Sequence, residues 1–327
     1  MTRSNWITTL VLAALAVVPL GLYYAGQPFW LDIASRLVIL AIAAASLNFI
    51  LGYGGMVSFG HAAYLGLGAY AVGIPVHHSI FGGLDVLGLA TSNGWVHLGL
   101  GLLVCAVFAL ITGAVSLRTK GVYFIMITMA FSQMLYYALI SISTYGGDDG
   151  LTIMSRSELP GLALDDPVQL YALCFVSLLV VLALLRMVVN SRFGQVLQGA
   201  RGNPQRVTML GFNIFHYQLV AYVLAAMVAG YAGFLLANFT AYISPEMMDW
   251  TRSGELMFMV ILGGVAVLVG PVLGAAAFIL VEELLSHFTV YWQLPFGLML
   301  MLVVLYSKGG LAQWLRLNQS GPGGGKP

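Results

Sequence analysis

One polar stretch in this 327-residue chain carries side chains whose types and spacing suit docking: Gly194–Asn213, GQVLQGARGNPQRVTMLGFN. Asn203 can cap the free N–H groups of a short helix that starts at Pro204, because an Asn oxygen just before a helix-starting proline satisfies donors that have no partner within the helix. Gly211 then stops that helix after about two turns. Val207 and Leu210 are spaced to share one helical face, while Arg201 and Arg206 surround it with positive charge. An apolar knob with a basic rim is chemistry for seating on a partner, and the sequence on either side of it, almost continuously apolar, places it just outside a membrane.

Chemistry of other kinds is missing. There is no GxxxxGK[ST] loop to cradle ATP, and no HExxH, GxSxG or paired intramembrane aspartates, so the chain is not expected to be an enzyme and no cofactor or metal is implied. Asp32, Glu255, Glu282 and Glu283 flank apolar runs, and the spans hold none of the buried acids that ion-coupled carriers need. Glu282–Glu283 reads as a polar helix end near the outer surface, and Arg252 and Glu255 as an interfacial boundary beside Trp250. Cys105 and Cys174 lie inside apolar runs without CxxC spacing and read as small packing residues. His77 and His78 are adjacent, so their rings point apart and do not form a metal pair. Energy for any transport would come from a partner at the cytoplasmic face.

Composition fixes the setting. With 60% hydrophobic and 8% charged residues and a mean hydropathy of +0.93, this is a polytopic membrane protein; backbone groups in lipid must be satisfied within each segment, so the fold class is all-α. A net charge of +1 points to no nucleic-acid partner. Candidate spans are Trp6–Tyr24, read as uncleaved, Ile33–Leu51, Gly60–Val76, Val96–Leu117, Val122–Ile142, Leu170–Val189, Tyr217–Phe239, a broken segment over Gly254–Leu285, and Val290–Tyr306. They make one transmembrane domain over 1–317, with a cytoplasmic loop at 190–216 and a Gly/Pro-rich disordered tail at 318–327. Arg118, Lys120, Arg186, Arg192, Arg201, Arg206, Lys308 and Arg316 belong inside, and the acidic connection Tyr145–Gln169 outside. Parity then requires Gly254–Leu285 to cross twice or to enter and leave on the outer side, broken at Gly263, Gly264, Gly270, Pro271 and Gly274. Eight to ten crossings with both termini inside are expected.

A second broken region, Gly52–Gly68, joins the second and third spans. Its small residues either pack helices closely or leave non-helical backbone lining a cavity. The candidate pathway residues are Gly55, Ser58, Gly60, His61, Tyr64, Gly263, Gly264, Gly270 and Pro271. His61 either bonds a broken-helix carbonyl or touches the path. Both breaks follow Ile-Leu-Gly, at Ile50–Gly52 and Ile261–Gly263, which hints at an internal duplication with the pathway between the halves.

Three stretches in order, the flanked Leu47–Tyr70, Gly194–Asn213 and Ser253–Gly274, resemble the M-type (LivM-like) permease subunit of branched-chain amino-acid ABC importers, over about Ala34 to Lys308. The resemblance implies an ABC importer permease fold and makes the polar loop the coupling element, carried by Gly194, Leu197, Ala200, Arg201, Asn203, Pro204, Arg206, Val207, Leu210, Gly211 and Asn213. This chain departs from the family pattern at Gly199, where Ala is usual, and at Gly202, where an acid is usual. The implied partners are two ABC ATPase subunits, a second, H-type permease, a periplasmic amino-acid-binding protein and the lipid bilayer of the bacterial inner membrane. The implied mechanism is alternating access, with substrate delivered near Tyr145–Gln169 and Tyr242–Arg252. Urea, short amides or aromatic carboxylates are alternative cargoes for the same machine. An ATP-independent channel and a non-transporting scaffold are the readings outside it.

Overall fold

The computed structural model describes residues 3–82, 91–288, 291, 293–306 and 310–314. The tail 318–327 and the side chains of Lys308 and Arg316 lie outside them. Thirteen α-helices are described: α1 (Arg3–Tyr24), α2 (Phe29–Asn48), α3 (His61–Phe81), α4 (Gly94–Ser116), α5 (Val122–Ile140), α6 (Pro167–Asn190), α7 (Arg192–Gly202), α8 (Pro204–Met209), α9 (Ile214–Thr240), α10 (Trp250–Gly263), α11 (Gly270–Phe288), α12 (Gln293–Tyr306) and α13 (Gly310–Trp314). Six are long and apolar enough to cross a membrane: α2 with its continuation to Tyr53, α4, α5, α6, α9 and α11. The apolar stretches of α1 and α12 are shorter.

α2 runs through the middle of the bundle. Fourteen of its residues are buried, among them Ala34, Ser35, Ala41, Ala43, Ala44, Ala45 and Ser46, and these small side chains let α6, α9, α10 and α11 pack against it. α3 and α9 approach so closely that a Cβ on Gly68 would meet the Gly230 carbonyl, and one on Gly233 the Leu65 carbonyl. Cys105 on α4 fills the space beside Gly230 and donates its thiol to the Tyr64 carbonyl, while Cys174 is buried on α6, so both serve as packing residues. α1 docks on α2 and on α6, where the Tyr171 hydroxyl donates to the Leu15 carbonyl.

Two short strands interrupt the all-α pattern: β1 (Leu151–Thr152) and β2 (Tyr242–Ile243) pair antiparallel, Leu151 opposite Ile243. This ribbon joins the α5–α6 and α9–α10 connections, and Ser157 N donating to Asn238 Oδ1 at 2.8 Å and His97 Nδ1 lying 2.8 Å from Ser157 Oγ fasten it to α9 and α4. The ribbon lies at one end of the bundle and α7–α8 at the other.

Both breaks appear where the glycines fall. After α2 the helix widens into a π-helical turn over Phe49–Tyr53 and becomes irregular until His61. Between α10 and α11 the chain turns through residues 264–269, entered by Gly264 at φ +114°. α10 and α11 form an antiparallel hairpin in which Gly263, Gly270 and Gly274 bring backbone against backbone.

Candidate functional site

The polar loop folds as two helices, one more than its sequence signalled. Ser191 caps α7, its Oγ accepting from Gly194 N at 3.3 Å. Gly194, Leu197 and Ala200 recur at helical spacing and form the buried face of α7 against the bundle. Asn203 caps α8 as expected, Oδ1 accepting from Arg206 N at 3.0 Å with Pro204 at the first position, and Gly211 turns the chain away at φ +87°. The shared face of Val207 and Leu210 divides: Val207 turns inward against Gly199, its Cγ2 standing 3.3 Å from where a Cβ there would lie, while Leu210 is 70% exposed. α8 is a single short turn-and-a-half, so its inner side touches α7 and its end does not. The exposed apolar tip is instead Met209 with Leu210, Met209 being 88% exposed, and Arg206 stands beside it. Reading Val207 as the partner of Leu210 missed Met209, which is the more exposed of the two tip residues. Asn213 precedes α9 without capping it.

α7 is keyed into the first break. The Arg201 guanidinium donates to the Gly52 carbonyl in the π-helical turn, and its aliphatic stem lies against Gly55, where a Cβ would come within 2.9 Å of Arg201 Cγ. Gly52 in turn abuts the second break; a Cβ there would lie 2.5 Å from Asn48 Oδ1 and 2.6 Å from Ala266 N. The Asn48 amide clamps the middle of that turn with both of its ends, accepting from Ala266 N at 3.0 Å and donating to the Val267 carbonyl at 2.9 Å. The two Ile-Leu-Gly breaks, more than two hundred residues apart in sequence, therefore touch, and one arginine connects them to α7. An open groove of about 1490 Å³ runs from Gly55–Val57 past Lys120 to Asn203, Met209 and Phe212. No acid occurs in 49–60, 117–121, 189–216 or 264–269, so this whole end is positive or neutral.

Gly55 is exposed and borders the groove, while the other first-break candidates sit inside the packing. Ser58, His61 and Tyr64 are fully or almost fully buried, and a Cβ on Gly60 would run into the Thr128 carbonyl. His61 Nε2 meets a hydroxyl, Ser46 Oγ at 2.7 Å, where the sequence suggested a carbonyl. The Tyr64 hydroxyl joins Thr112 at 2.8 Å and Tyr222 at 3.0 Å, a polar chain linking α3, α4 and α9. Gly263, Gly264, Gly270 and Pro271 are likewise buried in the hairpin turn.

Charged residues occupy places the sequence did not indicate. After β2 the chain descends into the bundle: Ser132, about 15 Å along α5 at 1.5 Å per residue, donates to the Met248 carbonyl at 2.5 Å, and Gln133 donates to Asp249 at 2.6 Å. α10 thus begins well below the ribbon, with Ser253 Oγ accepting from Ala62 N at 3.0 Å. Glu282 is no helix end; α11 continues to Phe288, and Glu282 stands about 18 Å along it at 1.5 Å per residue. There both of its oxygens accept from Arg36 Nη2, at 2.9 and 3.1 Å. Arg252 and Glu255, read as an interfacial boundary, pair at 2.9 Å beside a cavity of about 170 Å³. The spans therefore do hold acids, and two of them meet arginines: Glu282 pairs with Arg36, 246 residues away in sequence, and Glu255 with Arg252 one helical turn before it. Among the described residues no group of three or more His, Cys, Asp or Glu could hold a metal.

Residues 29–306 match the family described as "Branched-chain amino acid transport system / permease component". The chain is 24% identical over 331 residues to the "High-affinity branched-chain amino acid transport system permease protein LivM" of Salmonella typhimurium and, equally, of Escherichia coli, covering 94% of this chain and 75% of either relative. It is 26% identical over 311 residues to the "Probable branched-chain amino acid transport permease protein LivM" of Methanocaldococcus jannaschii, covering 83% of this chain and 89% of that one. No solved structure matches. A membrane bundle with two touching helix breaks, an arginine-keyed pair of helices at one end and a family match across nearly all its spans make this chain a member of the branched-chain amino-acid transport permeases.

Proposed function

We propose that this permease works as the M-type subunit of an ABC importer, paired with an H-type permease, driven by two ATPase subunits and fed by a periplasmic amino-acid-binding protein. α7–α8 is the coupling element seated on an ATPase. The observation that carries this reading is the Arg201–Gly52 contact, because it gives a motion of α7 a direct route to both helix breaks. ATP-driven displacement of α7 pulls the π-helical turn, the Asn48 clamp carries the pull to residues 264–269, and α10–α11 moves as a hairpin. The Gly-rich breaks, with Gly55, Ser58, Gly60, His61 and Tyr64 on one side and Gly263, Gly264, Gly270 and Pro271 on the other, are the hinges bordering the pathway.

Orientation follows from charge. The acid-free end with Arg118, Lys120, Arg186, Arg192, Arg201 and Arg206 faces the cytoplasm of a bacterial inner membrane, and the β1–β2 ribbon faces the binding protein. Counting α1 to α6 and α9 to α12 as crossings gives ten, within the expected range, with both termini cytoplasmic. The ribbon supports the expectation for Tyr145–Gln169 and the first part of Tyr242–Arg252, since it pairs Leu151–Thr152 with Tyr242–Ile243, while residues 245–252 descend away from that face.

The test is ATPase activity and leucine uptake by the complex reconstituted in lipid with its binding protein. Arg201→Glu and Leu210→Asp should each abolish uptake while the permease still inserts. ATP-independent leucine flux that survives Leu210→Asp would replace this reading with that of a channel. Stimulation by urea or benzoate and not leucine would change the cargo and leave the machine.

A further inference from the structure

Four ionisable side chains, partly exposed at 17–44%, gather at the mouth of a cavity of about 170 Å³ between α2, α3, α9 and α10. Arg36, Arg252 and Glu255 line it, and Glu282 holds Arg36 from behind. Charges within membrane spans are costly and are kept where they act on a substrate or in a water-filled path. None of these four is used by the coupling route through Arg201, Gly52 and Asn48.

We propose that this cavity is a binding site for an α-amino acid with an aliphatic side chain, a reading that rests on the amino-acid importer proposed above. The composition selects the ligand. Arg36 and Arg252 face Glu255 and Glu282, and Glu246 also acts on Arg252, so the site offers both signs of charge and a zwitterion enters it without adding net charge to the membrane interior. Arg252 spends one N–H on Glu255 at 2.9 Å, and a guanidinium has five, so donors remain for a substrate carboxylate. Glu255 Oε2 takes the Arg252 bond, leaving its second oxygen to accept from a substrate ammonium. Below this polar mouth the wall is Leu40, Leu65, Leu236, Phe239 and Leu256, an apolar surface for an aliphatic side chain. At ~30 Å³ per water the space is several water volumes, the scale of a small amino acid. A monocarboxylate would fill the guanidinium side and leave Glu255 facing like charge; urea, being neutral, would form an ion pair with neither side.

The test uses the full-length permease in lipid nanodiscs with a diazirine analogue of leucine, photolabelled and mapped by mass spectrometry, alongside leucine uptake by the reconstituted complex. Label is expected on the α2 and α9 wall peptides around Leu40 and Leu236, competed by leucine and not by 4-methylpentanoate, which lacks the ammonium. Arg252→Gln and Glu255→Gln should each weaken labelling about tenfold or more, the loss of one charge-assisted hydrogen bond. Leu236→Trp, which keeps all four charges and fills the space, should do the same and carries the test where a charge variant fails to insert. Label that maps elsewhere, or persists in these variants while the wild-type complex imports leucine, overturns the cavity and leaves the cargo. A wild-type complex that imports another solute and no leucine overturns the cargo reading and the cavity with it.

Discussion

Asn48→Ala is the sharpest test of the contact between the two helix breaks. Asn48 is buried, and its amide makes the 3.0 Å bond from Ala266 N and the 2.9 Å bond to the Val267 carbonyl. Alanine removes both and leaves a donor and an acceptor stranded in a turn that has no helical bonds of its own to offer them. At about 1–3 kcal/mol per stranded group the loss is about 2–6 kcal/mol. Hydrogen bonds measured inside membranes average about 0.6 kcal/mol, which sets a floor of about 1 kcal/mol for the pair. Asn48→Asp separates the two bonds: it keeps the acceptor for Ala266 N but turns a second oxygen on the Val267 carbonyl, so it should be no milder than alanine. The assay is reversible unfolding in mixed detergent micelles, paired with leucine uptake and ATPase activity of the complex. Both variants should lose stability by at least about 1 kcal/mol, and ATP hydrolysis should outrun uptake because the pull from α7 no longer reaches residues 264–269. Stability within about 0.5 kcal/mol of wild type with uptake and ATPase still in proportion would refute the clamp.

Gly274→Val should open the α10–α11 hairpin, since its Cβ would run into the Met259 carbonyl; a stability loss of several kcal/mol, about 2 or more, is expected in the same unfolding assay. Met209→Asp with Leu210→Asp should leave stability within about 0.5 kcal/mol, because both side chains are exposed, yet abolish copurification with the ATPase subunits. Arg36→Met strands Glu282 and should cost about 1–3 kcal/mol, less than for a fully buried pair because the arginine is 37% exposed; adding Glu282→Met should recover most of it. A double variant no more stable than the single would show that the pair does not act as a unit.

Much of the architecture was legible in the residues alone because membrane folding is dominated by local demands. Apolar length marks spans, and Asn203, Pro204 and Gly211 write a short capped helix into the chain through bonds that reach only three residues. The glycines at 52–55 and 263–274 announced two breaks for the same reason. What lay beyond reach were the pairings between distant segments. Nothing in the sequence joins Arg36 to Glu282, Arg201 to Gly52, or Asn48 to Ala266. The descent of residues 245–249 into the bundle was equally hidden, because an isolated polar segment reads as a loop until a hydroxyl from another helix accounts for its depth. Composition determined that this chain lives in a membrane and where its helices break. Tertiary packing alone decided that the breaks meet, that one arginine holds them to α7, and that three charges line one cavity with Glu282 paired to one of them, since each of these depends on side chains brought together only when small residues let the helices approach.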